Sequence, residues 1–203
     1  MSKPEFFIMG VWSELGEINA FIKTLMGQVA TDDPREMIRQ VNAGELALKA
    51  VPFLTPVVTA SVNGAEQFCA KDHLARANVG WTDNNFDQLF LNKVEKNVLP
   101  ASIAVHQLKR SSTDKLIMAE LGAAAEIQLA YLFELIKAQS QGQEGVLLVN
   151  GYANIAYIRG TDGNLWAVDA GWGAAGGWGV SANSFVDPGG GGAGLRVLSR
   201  DSE

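Results

Sequence analysis

The sequence predicts an α+β protein in which residues 1–141 are mainly helical and residues 142–203 form an antiparallel β-meander. The first observation is glycine content, since 7 of the 22 glycines fall in the first region and 15 in the second. The second is the hydrophobic period, which drops from about 3.6 residues to about 2 near residue 142. The third is size and composition: a chain of 203 residues, 47% of them hydrophobic, can bury a core without metal or disulfide. We expect the two regions to pack together as one domain.

The elements predicted for residues 1–141 are, apart from one strand, helices. Asp33, Pro34 and Glu36 have the spacing of a helix start, in which Asp33 caps the helix and Pro34 takes its first position. Pro52 ends this helix, because proline disfavours helical backbone in the residue before it. The full series is a strand over residues 6–12 and helices after Ser13, over 34–51, from Thr55, and over 86–98, 103–109 and 114–139.

Strands are predicted after residue 142, where glycines separate short runs of alternating hydrophobicity. Residues 146–149 and a return strand from Tyr152 flank Asn150-Gly151, which is a strong hairpin signal. Residues 161–164 indicate a second turn, since they combine threonine, aspartate, glycine and asparagine. Further strands are expected over residues 165–172, 178–186 and 195–200.

Charge and cysteine content exclude several classes of function. The net charge is −6 and the isoelectric point about 5.0, which disfavours binding to nucleic acid. Cys69 is the only cysteine, and with His73 and His106 it could not complete a four-ligand zinc site, so we expect no cofactor. The sequence shows no signal-peptide cleavage site and no membrane span, so we expect a cytoplasmic or particle-associated protein.

A short repeat marks the candidate binding surface. Residues 166–170 and 178–182 share the pattern Trp-x-Val-x-Ala. Alternate residues of a strand share a face, so the repeated residues should pack and the intervening small or polar residues should be presented. An ordinary solvated sheet face is the alternative, but glycine inside a strand is typical of close approach by a ligand. The candidate residues are Ala167, Asp169, Gly171, Trp172 and Gly173 from the first copy and Gly179, Ser181 and Asn183 from the second.

Two sequence patterns that would indicate an enzyme have less support than the candidate binding surface. Residues 171–176 read G-x-G-x-x-G after a predicted strand, but Pro188 and four consecutive glycines stand where a dinucleotide-binding fold needs a helix. A cysteine hydrolase could use Cys69 with His106, and Asp169 as a third member. The sequence around the cysteine lacks the helix-start context of such a nucleophile. We therefore favour a protein that is not an enzyme, with the hydrolase as an alternative.

Residues 178–203 resemble the C-terminal variable region of proteins that are diversified by retroelements (diversity-generating retroelements) in phages and bacteria. The frame of the resemblance is Trp-x-Val-x-Ala-x-Ser, then a proline, then Ala-Gly-x-Arg-Val-x-Ser-Arg. Its fixed positions are Trp178, Val180, Ala182, Ser184, Pro188, Ala193, Gly194, Arg196, Val197, Ser199 and Arg200. Its variable positions are Gly179, Ser181, Asn183, Gly189, Gly190 and Leu195, which completes the set of candidate binding residues.

The resemblance implies a non-catalytic binding protein with a C-type-lectin-like fold, whose rigid scaffold presents variable side chains to an unknown protein or surface ligand. Glycine and serine dominate these positions, so we expect weak binding unless Trp172 or Tyr152 is exposed. Besides the hydrolase, an intracellular interaction or immunity-type protein, binding through an acidic helical surface, stays an alternative. The apolar helix over residues 114–139 also leaves a homo-oligomer interface open.

Overall fold

The structure is a computed structural model of the 203-residue chain, and it describes residues 33–43, 52–184 and 190–201. By its contacts the chain divides into two compact units, Met1–Val51 and Pro52–Glu203. All the strands given below belong to the second unit.

The described part of the first unit is helix α1, Pro34–Asn42. It begins as the sequence predicts, because Asp33 Oδ1 accepts a hydrogen bond of 2.9 Å from the backbone N–H of Arg35. The strand predicted over residues 6–12 and the helix predicted after Ser13 lie outside the described residues.

The described part of the second unit holds eleven strands, three α-helices and two 3₁₀ turns. The strands are β1 Leu54–Val62, β2 Ala65–Cys69, β3 Val79–Thr82, β4 Val94–Val98, β5 Ala101–Leu108, β6 Ser112–Thr113, β7 Asn154–Arg159, β8 Leu165–Gly173, β9 Gly177–Asn183, β10 Gly190–Gly191 and β11 Arg196–Arg200. The helices are α2 Asn84–Leu89, α3 Asp114–Leu121 and α4 Leu129–Ala138, and the 3₁₀ turns are Ala70–Asp72 and Gly122–Ala124.

Seven of these strands form one mixed sheet in the order β1-β5-β11-β7-β8-β9-β3. Neighbouring strands are antiparallel except for two parallel pairs, β11 with β7 and β9 with β3. The remaining strands form two small antiparallel pairs, β2 with β4 and β6 with β10. The sheet therefore combines strands that come from before and after residue 142.

One face of the large sheet, called the inner face here, packs on α4, α2 and the β2–β4 pair. Seven of the ten residues of α4 are buried against it. The start of α4 is capped by a residue that is distant in the sequence. The Glu95 carboxylate on β4 accepts hydrogen bonds from the N–H groups of Leu129 and Ala130 at 3.0 and 2.9 Å. The largest buried members of this inner core include Phe68, Phe86, Phe90, Phe133, Leu132, Ile136, Val168, Trp178 and Val180.

The opposite face, called the outer face, is covered in part by α3. Ile117 of that helix is buried in a second apolar cluster, which we call the outer core. The other buried members of the outer core are Leu54, Leu108, Ala125, Ile155, Tyr157, Ala167 and Val197. Most of these come from β1, β5, β11 and β7, so the outer core covers that side of the sheet.

The predicted fold class, α+β with a mainly helical N-terminal two-thirds and a C-type-lectin-like tail, is wrong. The described chain is mostly β, and β1, β3 and β5 of the large sheet all precede residue 142. The segment from Thr55 forms β1 rather than a helix. Its run of Val57, Val58 and Thr59 is β-branched, and branched side chains are restricted in a helix but fit a pleated strand.

Two other predicted helices are also strands in whole or in part. Residues 103–109 fall largely in β5, where Ile103 and Val105 are fully buried and alternate with less buried neighbours. The segment 86–98 contains only the short helix α2 and then β4, whose residues pair with β2. In both segments, pairing with a distant strand decides the structure, which short apolar spacing does not reveal.

The long helix predicted over residues 114–139 is two helices. Gly122 ends α3 with φ of +57°, in the left-handed region that glycine adopts at low cost. A 3₁₀ turn follows, and α4 begins only at Leu129. The break lets α3 lie on the outer face while α4 packs on the inner face.

The C-terminal region keeps part of the predicted meander. Strands β7, β8 and β9 are consecutive and antiparallel, with the turn at residues 161–164 where the sequence indicated it. Residues 146–149 do not form a strand, so the predicted hairpin at Asn150-Gly151 is wrong. The Asn154 side chain instead holds the segment, accepting from Leu148 N at 2.8 Å and donating to Leu148 O at 3.1 Å. Strand β11 does not extend the meander but lies between β5 and β7.

Candidate binding groove

Strands β8 and β9 meet at two directly opposed pairs of glycines. Gly171 is opposite Gly179, and Gly173 is opposite Gly177, next to the turn that joins the strands. All four belong to the alternate set of residues that points to the outer face. At these positions the outer face of the sheet is therefore bare peptide.

The tryptophans between these glycines turn to the inner face and anchor the strands. Trp172 and Trp178 pack edge to face, with ring centroids 5.5 Å apart. The Trp178 indole is 1% exposed, and its Nε1–H donates to the carbonyl oxygen of Gln139 at 3.1 Å. The Trp172 ring lies so close to Gly142 that a Cβ on this glycine would be 2.3 Å from ring atom Cε2. The large side chains thus fix the backbone that the glycines expose.

A groove of about 690 Å³ lies on the bare region of the outer face. Strand β3, at the edge of the sheet, forms one wall, and β8 and β9 form the floor. We call it the glycine groove, and its lining residues are Asn78, Gly80, Trp81, Ala153, Asp169, Gly171, Trp172, Gly173, Ala175, Gly176, Gly177, Trp178, Gly179 and Ser181.

The Trp81 indole is the largest exposed group of the groove. The residue is 59% exposed, although it lies on a sheet strand. A Cβ placed on Gly179 would lie 3.3 Å from Trp81 Cε3, so the ring borders the bare floor directly. A Cβ on Gly171 would meet nothing within 4 Å, which shows that the floor is open above this position.

The Asp169 carboxyl group lies at one end of the floor, opposite Ser181. Its Oδ2 accepts a hydrogen bond of 2.8 Å from Asn183 Nδ2, whereas the buried Oδ1 accepts none from the described part of the chain. Burial, followed by the negative charge of Asp114, raises the pKa of Asp169 to about 7, against the lowering effect of the Asn183 hydrogen bond. The group is short of donors and of positive charge.

Tyr157, a member of the outer core, forms a buried polar contact with Asp114. The Tyr157 hydroxyl donates to Asp114 Oδ1 at 2.9 Å, and both residues are buried. Burial and the Asp114 carboxylate raise the pKa of the Tyr157 hydroxyl well above its usual range, so it remains a donor. The covered half of the outer face therefore ends in a buried polar contact next to the open half.

The structure brings together six of the predicted binding residues. Those that line the groove are Asp169, Gly171, Trp172, Gly173, Gly179 and Ser181. Ala167 lies instead in the outer core and is 3% exposed, while Asn183 is exposed and reaches Asp169 from the end of β9. Gly190 lies in the β6–β10 pair, Leu195 packs on the outer core, and Gly189 lies outside the described residues.

Sequence reasoning missed the wall that β3 contributes. Asn78 has φ of +53°, which asparagine tolerates, and its Nδ2 donates to Gly176 O at 3.0 Å, which ties β3 to the β8–β9 turn. The pair Gly80-Trp81 repeats the combination of glycine and tryptophan found in the tail, and this was the available signal. The pairing of β3 with β9 has no signature in the local sequence.

The residues of the hydrolase alternative have separate surroundings. The Cys69 sulfhydryl contacts the Leu91 carbonyl oxygen at 3.5 Å. The His106 ring is hydrogen-bonded through Nε2 to Ser199 Oγ at 3.0 Å, and burial lowers its pKa. Asp169 has its hydrogen bond from Asn183, so none of the described hydrogen bonds joins the three residues into a catalytic set.

The protein thus contains a mixed seven-stranded sheet, and the uncovered half of the outer face of this sheet carries a groove with a floor of glycines. Comparison with models of known protein families, with curated proteins and with solved structures found no match for the chain. Among the described residues, no helix is long and apolar enough to cross a membrane. Within the same residues, no three histidine, cysteine, aspartate or glutamate side chains are grouped to hold a metal ion.

Proposed function

We propose that the protein is a non-catalytic binding protein whose recognition surface is the glycine groove. The observation that carries this proposal is the alternation along β9. Trp178, Val180 and Ala182 are at most 1% exposed, whereas Gly179 and Ser181 between them line the groove. One strand thus supplies the core with its large residues and the groove with its small ones.

This arrangement separates stability from recognition. Substitutions at exposed positions usually change the free energy of unfolding by no more than about 0.5 kcal/mol. Residues on a rigid strand are also held more accurately than residues on a loop. The groove side of β8 and β9 can therefore change its side chains while the inner core keeps the backbone in place.

We further propose that the groove side of β9 is varied between copies of the gene, as the resemblance to retroelement-diversified proteins implies. Of the variable positions, Gly179, Ser181 and Asn183 lie on the outer face of this one strand. Gly190 and Leu195 lie in other parts of the unit, so their variation would act outside the groove.

Deep sequencing of the 3′ part of the gene in a population that carries it tests this function. We expect amino-acid changes to concentrate at codons 179, 181 and 183, beside a near-copy of the segment. The matched control is the set of core codons 178, 180 and 182 of the same strand, which should stay fixed.

An even spread of changes over all six codons, without a near-copy nearby, would show that the tail is not diversified. The glycines would then be features of packing, and the proposed function would fail. Fixed codons at all six positions would contradict the proposal equally.

A further inference from the structure

Three features of the glycine groove define the chemistry of its occupant. The floor is flat peptide without side chains, an exposed indole stands on one side, and a carboxyl group whose one side-chain donor is the exposed Asn183 amide lies at one end. The first two features favour a planar group, and the third favours a donor of hydrogen bonds.

The charge of the groove is one-sided. Among the described residues that line it, Asp169 is the only acidic one, and none is a lysine, an arginine or a histidine. Asp83 and Asp114 act on Asp169 with further negative charge. A cation that enters the groove therefore meets a negative field and no competing positive side chain from this lining.

The spacing of the indole and the carboxyl group fits one side chain. Trp81 borders Gly179, and Gly179 is the diagonal neighbour of Asp169 in the β8–β9 pair. Diagonal neighbours across an antiparallel pair are about 7–8 Å apart. A planar cation that lies against the ring can therefore reach the carboxylate.

We propose that the groove binds an arginine side chain of a partner protein, with the guanidinium group stacked on Trp81 and donating hydrogen bonds to the Asp169 carboxylate. The guanidinium replaces the amide of the exposed Asn183 as the donor to Oδ2, while Oδ1 stays buried. The inference rests on the proposed function and names the chemistry of the partner.

Arginine fits these features better than lysine or an aromatic side chain. Guanidinium is planar, stacks on aromatic rings and donates charge-assisted hydrogen bonds to a carboxylate. A lysine ammonium group is compact and more strongly hydrated, so it uses the flat floor poorly. An aromatic ring would stack on Trp81 but would bring no positive charge to the Asp169 carboxylate.

Titration of the full-length chain with short capped peptides tests this inference. The probes are Gly-Gly-Arg-Gly-Gly and the same peptide with lysine, citrulline or tyrosine at the centre, followed by NMR of the tryptophan indole N–H signals. We expect the arginine peptide to shift the Trp81 signal and to bind at least about tenfold more tightly than the citrulline peptide, which keeps the shape but lacks the charge.

Two substitutions, each with a matched control, locate the effect. Asp169→Asn and Trp81→Ala should each weaken arginine-peptide binding about tenfold or more. Glu66→Gln removes one exposed carboxylate from β2, and Leu99→Ala removes an exposed apolar side chain that is 73% accessible. Both controls should bind as the unchanged protein does.

Equal binding of the arginine and citrulline peptides, or equal binding by Asp169→Asn and the unchanged protein, would overturn the arginine assignment. Tighter binding of the tyrosine peptide would overturn it as well and would assign the groove to ring stacking. Gene sequencing decides the proposed function separately, because the codons can vary whether or not this copy binds arginine.

Discussion

The two halves of the outer face differ in the side chains that point outward. Tyr157 and Ala167 are the covered residues next to the open half. On the β1 side, alkyl and aromatic residues bind the face to α3 and close it. On the β9 side, the same face continues through Asp169 to Gly171 and stays open. The change takes place along β8 within four residues, at the buried contact between Tyr157 and Asp114. Whether a sheet face is covered is thus decided locally, by whether its outward positions carry apolar side chains.

The largest expected effect breaks the scaffold under the open half. Trp178→Ala should lower the free energy of unfolding by about 3–5 kcal/mol, because it removes a fully buried indole and its hydrogen bond to Gln139. Urea denaturation followed by circular dichroism measures the loss. A loss of less than about 1 kcal/mol in the free energy of unfolding would contradict the burial of this ring.

A smaller effect is expected at the boundary between the halves. Tyr157→Phe should destabilise the protein by about 1–3 kcal/mol, because it leaves the buried Asp114 carboxylate without the 2.9 Å phenol donor. The same denaturation measurement applies. The double variant Tyr157→Phe with Asp114→Asn should recover part of the loss, since a buried charge is then absent, and no recovery would contradict this explanation.

The Asp169 carboxyl group of the open half should make the stability of the protein depend on pH. The folded-state pKa of Asp169 is raised from 3.8 to about 7, so its contribution is full below about pH 4 and is lost as the pH rises through 7. Asp114 and Asp83 oppose its ionisation, the Asn183 amide favours it, and the Tyr157 hydroxyl lies on the neighbouring strand.

We expect a loss of about 2–3 kcal/mol in unfolding free energy between about pH 5 and pH 7.5 from this group alone. Denaturation at a series of pH values measures it, and Asp169→Asn should flatten the slope in this range. A slope that is the same in the variant would assign the pH dependence to another group.

The smallest effect on stability is expected on the open half of the outer face. Gly171→Ala should change the free energy of unfolding by no more than about 0.5 kcal/mol, because the added Cβ meets nothing within 4 Å. Gly142→Ala is the matched contrast, since its Cβ would collide with the Trp172 ring and its φ is +67°. If Gly171→Ala destabilises as strongly as Gly142→Ala, the groove floor is not open.

The side of the sheet to which each residue of the C-terminal strands points could be predicted from the sequence, because it depends only on alternation between neighbouring residues. Alternation of Trp178, Val180 and Ala182 with small residues is a period-two pattern, and the structure buries all three. The groove residues Asp169 and Gly179 follow from the same alternation. Ala167 shows its limit, because an outward residue is covered wherever another element packs over it.

The sheet itself could not be predicted, because its pairings join residues far apart in the chain. Strand β4 reads as the end of a helix until its pairing with β2 is known, and its Glu95 caps a helix that begins more than thirty residues later. Trp81 is a second example, because only the parallel pairing of β3 with β9 places it beside the groove. Local propensity is a weak guide where such contacts decide the structure.

The place of β11 has a consequence for the synthesis of the protein. Strands β5 and β7 are each hydrogen-bonded to β11 and not to one another, so the growing chain holds two incomplete sheets until residues 196–200 leave the ribosome. A shift of reading frame before residue 196 would replace an interior strand, the third of seven, rather than an edge strand. Resistance of stalled nascent chains to protease would register this step. Because of this topology, the β1–β5 pair can join the other strands of the large sheet only through a β11 that has been translated in frame.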